Sequence, residues 1–409
     1  MRVLHVDRDR LWSTLMASAK IGPGRAGGLC RLALTDADRE MRDLFGRWCV
    51  DSGLTLRVDR AGNMFARYPG REELPPVLVG SHLDTQITGG RFDGILGVLA
   101  GLEAVRRLAE EGIVARRPIE VVNWSNEEGA RFSPPMMASA VFAGLQDLDW
   151  LYARTDAAGA TFGDELARIG YCGEHPVGFP IDSLFELHIE QGPELDASGA
   201  KVGIVSGGYT ALGMNLTFTG ETAHTGPTPM DRRRDAAVAA AHLTVAVNEI
   251  GWLQAPLGKS TTSRIDLWPN LPGLLSARAD VTFDVRHPDR TVAASMFEAA
   301  KIAASVAAAR ARCEIEIKDN WRFGDEVFDP DLIAMLHASS EALGIRPVEM
   351  LSQAGHDAYY VSRIAPTAML FCPCRDGITH NEAESCTLDD VAPASDVLLN
   401  AILARADRP

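Results

Sequence analysis

The sequence lacks an excess of positive charge, a disulfide pattern and a long uninterrupted apolar run. Its 40 Lys and Arg against 55 Asp and Glu give a net charge of −15. This balance argues against nucleic-acid and anionic-membrane partners, because both select basic surfaces. The seven cysteines are an odd number without a C-x-x-C pair, so we expect free thiols in a reducing compartment.

Two further absences concern the membrane and secretion. No stretch of about twenty consecutive apolar residues occurs, which predicts no membrane-spanning segment. The charged start of the chain has no apolar region of the kind that a secretory signal needs. We therefore expect a soluble, cytoplasmic protein.

The overall composition is that of a globular protein. Of the 409 residues, 46% are hydrophobic and 23% are charged, which excludes a disordered or collagen-like chain. The length favours two or three domains and a core that needs no disulfides.

A strand–helix–strand pattern occupies the first half of the chain. An apolar run over 77–80 predicts a buried strand, and it is followed by a helix over 95–111 and a second strand over 118–124. A further strand is predicted over 184–188. Connections of this length indicate βαβ units, so the fold class is α/β with a mixed, mostly parallel sheet.

The pattern changes near residue 205, where Gly207-Gly208 offers a hinge. The following segment predicts the order β-α-β-β-α-β of a ferredoxin-like α+β domain. Its elements are a strand over 214–219, a helix over 232–250, strands over 263–268 and 278–287, a helix over 290–311 and a strand over 314–318. We therefore predict a discontinuous domain over 1–207 and 321–409 with an inserted domain over 208–320.

Histidine and acidic side chains fall at or near the ends of the predicted strands. Ligands collect outside the carboxyl ends of strands in open parallel sheets, so these side chains are candidates for one site. The candidates are His82, Asp93, Glu127, Glu128, His188 and, late in the chain, His380.

Three histidines and two or three carboxylates suit a pair of divalent ions such as zinc, manganese or cobalt. Such ions activate water, and a carboxylate outside the metal shell then serves as general base. On the residues alone two alternatives stay open. Asp93 could cap the following helix, and Glu127-Glu128 could be ordinary acids of a first helical turn. The histidines interpreted as structural are His5, His175, His242 and His337.

Five motifs occur in order along the chain. They are Gly80-Ser-His82-Leu-Asp84-Thr, Gly89-Gly-Arg-Phe-Asp93-Gly, Asn126-Glu127-Glu128-Gly-Ala-Arg-Phe132, His188-Ile-Glu-Gln191-Gly-Pro193 and Thr379-His380-Asn. The series resembles that of the M20 metallopeptidase clan, most closely its hydantoinase/carbamoylase amidase branch. That branch contains N-carbamoyl-L-amino acid hydrolases, β-ureidopropionases and allantoate amidohydrolases. The likeness covers nearly the whole chain, including His224-Thr-Gly-Pro-Thr-Pro-Met230 in the insert.

The resemblance implies a role for each matching residue of the metal centre. His82 and His188 would bind one or other of two divalent ions, and Asp93 would bridge the two. Glu128 and His380 would complete the second site.

The resemblance also implies roles around the metals. Glu127 would be the general base, and Asp84 would orient the imidazole of His82. The insert would be a dimerisation or lid domain whose His224 reaches the partner's site and polarises the scissile carbonyl. Gln191 and Arg286 would hold the carboxylate of the substrate. On the residues alone, a turn aspartate, a surface histidine and an edge-strand ion pair remain alternatives for Asp84, His224 and Arg286.

The function implied is a binuclear amidohydrolase that converts an N-carbamoyl-L-amino acid to the L-amino acid, CO2 and NH3. Its partners would be a small ureido or amide acid and a second copy of the chain, without nucleic acid or membrane. Alternatives are a β-ureidopropionase, an allantoate or ureidoglycolate type of amidohydrolase, and another N-acyl-amino acid hydrolase or dipeptidase of the clan. A catalytically silent binding protein on the same fold is a further alternative.

The sequence departs from the family pattern at several positions. Gly273 stands where the family usually has an Asn that contacts substrate, and Ser276-Ala277 replaces the expected Pro-Gly. Near the last ligand, Asn381-Glu382-Ala-Glu384 replaces the usual Asn-Pro-Ala-Glu. These changes leave the metal ligands in place but bear on the choice of substrate. The pair His356-Asp357 matches a family segment without an assigned role.

Overall fold

The structure is a computed structural model and describes residues 3–408 of the chain. The chain divides into two compact units, one made of Met1–Gly207 with Val327–Pro409 and the other of Gly208–Glu326. The first boundary lies between the two glycines of the expected hinge. The expected second boundary, between residues 320 and 321, lies inside the last strand of the second unit, Glu314–Phe323.

The described residues form twelve strands and twelve α-helices. The strands are β1 (Thr55–Val58), β2 (Met64–Tyr68), β3 (Val77–His82), β4 (Ile119–Trp124), β5 (Ser183–Ile189), β6 (Gly203–Gly208), β7 (Thr210–Thr219), β8 (Lys259–Trp268), β9 (Arg278–His287), β10 (Glu314–Phe323), β11 (Val348–Ser352) and β12 (Thr367–Cys372). The helices are α1 (Arg8–Ser18), α2 (Asp36–Asp51), α3 (Ile95–Glu110), α4 (Met137–Phe142), α5 (Leu148–Tyr152), α6 (Phe162–Arg168), α7 (Glu194–Ser198), α8 (Ala236–Leu253), α9 (Arg290–Ala311), α10 (Pro330–Ala342), α11 (Asp357–Val361) and α12 (Leu388–Ala406).

The first unit is built on an eight-stranded sheet in the order β1-β2-β4-β3-β5-β12-β6-β11. The four central strands β4, β3, β5 and β12 run parallel, whereas β2 and β6 pair with them in antiparallel fashion. Every residue of these central strands is buried, as expected for a parallel sheet that is covered on both faces. The predicted α/β class with a mixed, mostly parallel sheet is confirmed.

A buried ion pair connects α2 to the loop that follows β4. Arg42 Nε donates to Asp38 Oδ2 at 2.9 Å, and both side chains are almost fully buried. The same guanidinium donates to the Gly62 carbonyl at 2.8 Å and to Ser125 Oγ at 3.1 Å. Since Ser125 begins the loop that carries Glu127, the buried Arg42 guanidinium anchors the start of that loop to α2.

Replacing Asp38 by alanine is expected to lower the free energy of unfolding by about 3–5 kcal/mol, because it leaves the Arg42 charge buried without its counter-ion. Urea unfolding of the two proteins measures the difference. The matched control is Arg39→Ala, which breaks the half-exposed Arg39–Asp43 pair on the same helix and should cost about 0–1 kcal/mol. Equal losses for the two substitutions would contradict the expectation.

The second unit has the order β7-α8-β8-β9-α9-β10, and its four-stranded sheet has the order β10-β7-β9-β8 with antiparallel neighbours throughout. The predicted order of elements is confirmed. The helix expected from residue 232 begins only at Ala236, since Met230–Arg232 forms a 3-10 turn and Asp235 caps α8 by accepting from the amide of Ala237. The strand expected from residue 263 begins at Lys259.

The two helices of this unit are apolar around much of their circumference. By length and composition alone, α8 and α9 could each cross a membrane, although single polar residues such as His242 and Lys301 interrupt their apolar runs. Each helix buries an alanine-rich face in the core of the unit, for example through Ala239 and Ala304. On the other faces Trp252, Leu253 and Ile302 are exposed by 75%, 80% and 65%.

Candidate metal centre

Two buried histidines at the carboxyl ends of adjacent strands form the base of the centre. His82 ends β3 and donates through Nδ1 to the main-chain carbonyl of Asp84 at 2.9 Å. His188, near the end of β5, donates through Nδ1 to the carbonyl of Ile189 at 3.0 Å. These bonds place the proton of each neutral ring on Nδ1, so Nε2 is the potential ligand atom. The Nε2 atom of His188 also accepts the amide hydrogen of Gly94 at 3.1 Å. The Nε2 atoms lie 3.8 Å and 3.1 Å from Asp93 Oδ1.

Asp93 reaches the histidines because the chain turns sharply at Gly94. Gly94 has a φ of +68°, and a Cβ at this position would lie 2.2 Å from the ring of His82. Only glycine allows both this conformation and this close approach. The N-cap of α3 is Gly94, without a side-chain cap. The alternative that Asp93 merely caps the helix is therefore wrong.

A second set of potential ligands shares the other oxygen of Asp93. His380 Nε2 lies 3.6 Å from Asp93 Oδ2 and 3.3 Å from Glu128 Oε2. The potential ligand atoms of His82, Asp93 and His188 lie within 4.8 Å of one another, and the same is true of Asp93, Glu128 and His380. One carboxylate thus faces both sets, with one oxygen towards each.

Glu127 and Glu128 lie on a loop that the Asp84 carboxylate holds. Its two oxygens accept the amide hydrogens of Glu127 at 3.2 Å and Glu128 at 3.3 Å. We expected this carboxylate to orient the His82 imidazole, but the main-chain carbonyl of Asp84 does so instead. No helix begins at the two glutamates, since α4 starts at Met137; the alternative of first-turn acids is wrong.

The electrostatics of the centre favour positive charge. Burial lowers the pKa of the His188 imidazole, but the Asp93 carboxylate outweighs burial and raises that pKa to about 9. Burial also lowers the pKa of the His380 imidazole, but the Glu128 carboxylate outweighs burial and raises that pKa to about 9. Burial raises the pKa of Glu127 well above its usual value, and neighbouring carboxylates raise it further. Nitrogen and carboxylate donors in a buried, electronegative pocket fit a borderline divalent cation.

Comparison with known proteins gives the family. Residues 78–404 match the model of peptidase family M20/M25/M40. The chain is 44% identical to the N-carbamoyl-L-amino-acid amidohydrolase of Rhizobium meliloti, over 98% of this chain and 97% of that protein. The chain belongs to the M20 family. It is 31% identical to the allantoate amidohydrolase of Escherichia coli K12, over 94% of this chain and 95% of that protein. A hydantoinase/carbamoylase family amidase from Burkholderia vietnamiensis has a TM-score of 0.95 and 45% identity, over 99% of this chain and 98% of that one.

As a member of this M20 branch, the protein is a hydrolase of C–N bonds in amides or ureido compounds. The family is metal-dependent, and the two sets of ligand atoms are the candidate metal positions in this chain. Resemblance to the hydantoinase/carbamoylase amidases is confirmed.

Gln191, expected to hold the carboxylate of the substrate, contacts the shared Asp93 carboxylate of the metal centre. Its Nε2 donates to Asp93 Oδ2 at 3.1 Å, and its buried Oε1 has no hydrogen-bond partner within residues 3–408. The side chain therefore steadies the shared carboxylate and leaves a buried acceptor oxygen without a partner. An acceptor suits an N–H group rather than the carboxylate that we expected it to hold.

His224 and Arg286 lie in the second unit. His224 is exposed and accepts the amide hydrogen of Gly226 at Nδ1, 3.0 Å away. Arg286 donates from Nε to Asp284 Oδ1 at 2.9 Å, and its guanidinium carbon lies 5.4 Å from the centre of the Phe323 ring.

Two buried glutamates behind the ligands were not assigned from the sequence. Glu186 accepts from Ser81 Oγ at 2.7 Å and from the amide of Ala358 at 3.3 Å. Glu384 Oε1 accepts the amides of Phe92 at 2.9 Å and Asp93 at 3.2 Å, which fixes the segment of the shared carboxylate. The signal for Glu186 was a glutamate in an apolar strand, two residues before His188 and hence on the same face.

The unassigned pair His356-Asp357 lies in the same surroundings. The His356 ring stands 4.6 Å from the His188 ring and bonds through Nε2 to Ser352 Oγ at 3.0 Å. Glu186, His188 and His356 form a third group of possible ligand atoms. Because both oxygens of Glu186 and the Nε2 of His356 already have protein partners, we interpret this group as support for His188.

Proposed function

We propose that this chain is a binuclear amidohydrolase that cleaves the ureido C–N bond of an N-carbamoyl-L-amino acid to give the L-amino acid, CO2 and NH3. The observation that carries the proposal is the Asp93 carboxylate, shared by two sets of potential ligands. The substrate class is that for which the 44% identical relative is named. Because other relatives are named for allantoate and ureidoglycolate, those two compounds remain alternative substrates.

The two ligand sets would each hold one divalent ion, with zinc, manganese and cobalt as the candidates. His82 and His188 would bind one ion, Glu128 and His380 the other, and Asp93 both. Bound there, such ions would supply Lewis acidity, which lowers the pKa of water and polarises a carbonyl group.

Glu127 would be the general base. It is buried, belongs to neither ligand set, and has its Oε2 only 3.5 Å from His82 Nε2. Burial and the neighbouring carboxylates raise the pKa of its carboxyl group, and a raised carboxyl pKa is typical of glutamates that both take up and deliver a proton. Glu127 would take a proton from the attacking water and deliver it to the leaving nitrogen.

The substrate-binding residues that the family resemblance implies are Gln191, Arg286 and, reaching the site of the partner subunit, His224. A neutral His224 that accepts at Nδ1 carries its proton on Nε2, so it can donate to the oxygen of the scissile carbonyl. The Arg286 fork matches the two oxygens of a carboxylate. The free Oε1 of Gln191 would accept an N–H of the ureido group.

A substrate panel tests this function on chelator-treated enzyme with and without zinc, manganese or cobalt. We expect metal-dependent release of ammonia from N-carbamoyl-L-amino acids. The panel also contains β-ureidopropionate, allantoate and dipeptides as the alternative substrates. Converting the substrate carboxylate to a carboxamide should lower kcat/KM by about tenfold or more, since hydrogen bonds to charged groups contribute about 1.5–3 kcal/mol. Activity without metal would overturn the mechanism. Cleavage of dipeptides alone would favour the peptidase alternative.

We also propose a cytoplasmic homodimer that forms through the second unit. The exposed Trp252, Leu253 and Ile302 on α8 and α9 support this, since exposed apolar clusters mark interaction surfaces. All seven cysteines are free thiols, which fits a reducing compartment. Sedimentation velocity should give twice the chain mass. Replacing Trp252 and Leu253 by Ser should give a monomer, and a wild-type monomer at micromolar concentration would refute the dimer.

A further inference from the structure

Glu382 is a partly exposed glutamate with an unusual set of hydrogen bonds. It lies two residues after His380, and its carboxylate accepts hydrogen bonds from three main-chain amides of one loop, residues 24–28. The Arg25 amide lies 3.1 Å from Oε1 and the Gly28 amide 3.1 Å from Oε2, while the Ala26 amide also donates to Oε2. Proline, which the resemblance leads one to expect here, has no group that could accept these bonds.

The same loop is tied to the segment that carries Asp93. Leu29 and Gly89 exchange two main-chain hydrogen bonds of 2.8 Å. The guanidinium of Arg91 donates to the Gly27 carbonyl at 2.9 Å and 2.6 Å. Residues 24–28 therefore bridge the segments of two candidate ligands of the same ion, Asp93 and His380.

The loop fits closely against Glu382. A Cβ at Gly28 would lie 2.3 Å from the Gly89 carbonyl oxygen and 2.6 Å from Glu382 Cα. The contact is therefore a tight backbone packing as well as a set of hydrogen bonds, and any side chain at position 28 would separate the two segments.

His380 needs such support more than the other ligand candidates. Its side chain is 50% exposed, whereas those of His82 and His188 are 1% exposed. Besides Glu382 and Glu384, its segment is held by Thr88 Oγ1, which donates to the His380 carbonyl at 3.1 Å. Glu384 fixes the segment on the buried side of the centre, and Glu382 fixes it on the solvent side.

We propose that Glu382 is a positioning residue that sets the His380 imidazole against Asp93 and Glu128 by clamping its segment onto residues 24–28. The inference rests on the proposed function, since it assigns the effect of Glu382 to one of two metal positions. Partners that orient a ligand typically change metal affinity by about 10–100-fold when they are removed.

The test compares Glu382→Ala and Glu382→Gln with wild type by zinc titration of the metal-free proteins against a chromophoric chelator. We expect two ions in wild type. In Glu382→Ala the affinity for one ion should fall about 10–100-fold, while the other ion binds normally. Glu382→Gln keeps a carbonyl acceptor, so its loss of zinc affinity should be clearly smaller. The control is Glu341→Ala, which removes an exposed glutamate of α10 and should leave both affinities unchanged.

Amide hydrogen exchange on the metal-free proteins gives an independent readout. Exchange within residues 24–29 should be faster in Glu382→Ala than in Glu341→Ala or wild type. In the zinc titration, Gly28→Ala should lower the affinity for the same ion that Glu382→Ala affects. Wild-type zinc affinities or unchanged exchange in Glu382→Ala overturn the inference and leave the proposed function standing. A wild-type protein that binds no zinc overturns both.

Discussion

Glu127→Gln is expected to lower kcat by about 10³-fold, within the range for loss of a general base. Glutamine has the same shape but cannot take a proton, and the main-chain bond of residue 127 to Asp84 remains. Because Glu127 is in neither ligand set, the metal content should stay at the wild-type value. Steady-state kinetics and elemental analysis of the same preparation measure both quantities.

The neighbouring substitution Glu128→Gln is the control for this result. Glu128 contacts His380 and lies in the second ligand set, so its variant should lose one ion together with activity. If Glu127→Gln keeps full activity, or if it is the variant that loses metal, the two roles are assigned wrongly.

Asp93→Ala is expected to remove both ions under dialysis and to lower kcat by about 10³-fold or more. The expected loss follows from the several kcal/mol that metal ions contribute to such transition states. Asp93 is the one residue that both ligand sets contain, so no other single substitution should affect both ions equally. Elemental analysis after dialysis and zinc titration measure the effect.

Gln191→Leu is the matched control for Asp93→Ala in the metal measurements, since it removes a hydrogen bond to Asp93 Oδ2 and leaves every potential metal ligand in place. It should retain both ions with a modest change in affinity. An Asp93→Ala protein that keeps one ion at wild-type affinity would show that the carboxylate does not bridge the two positions.

The gathering of His82 and His188 was predictable from the sequence. Both residues follow apolar runs, and parallel strands present their carboxyl ends at one edge of the sheet. The partner of His82 Nδ1 could not be predicted, because the path of the backbone after β3 decides whether the carbonyl or the carboxylate of Asp84 meets the ring. The carboxylate instead holds the loop of Glu127.

Long-range contacts of single side chains could not be predicted at all. Glu382 and Glu384 meet loops that lie far away along the chain, and no periodic pattern connects positions so distant. The start of α8 was placed too early for a local reason, since alanine-rich helical composition gave no sign of the 3-10 turn before Asp235.

The strand order of the first unit has a consequence for biosynthesis. The strand β12 lies between β5 and β6, yet the ribosome makes it only after the whole second unit, and His380 emerges later still. The central order of this sheet therefore cannot be complete before β12 has been synthesised. Cation loading with the full ligand set is accordingly one of the last events in the maturation of a newly translated chain.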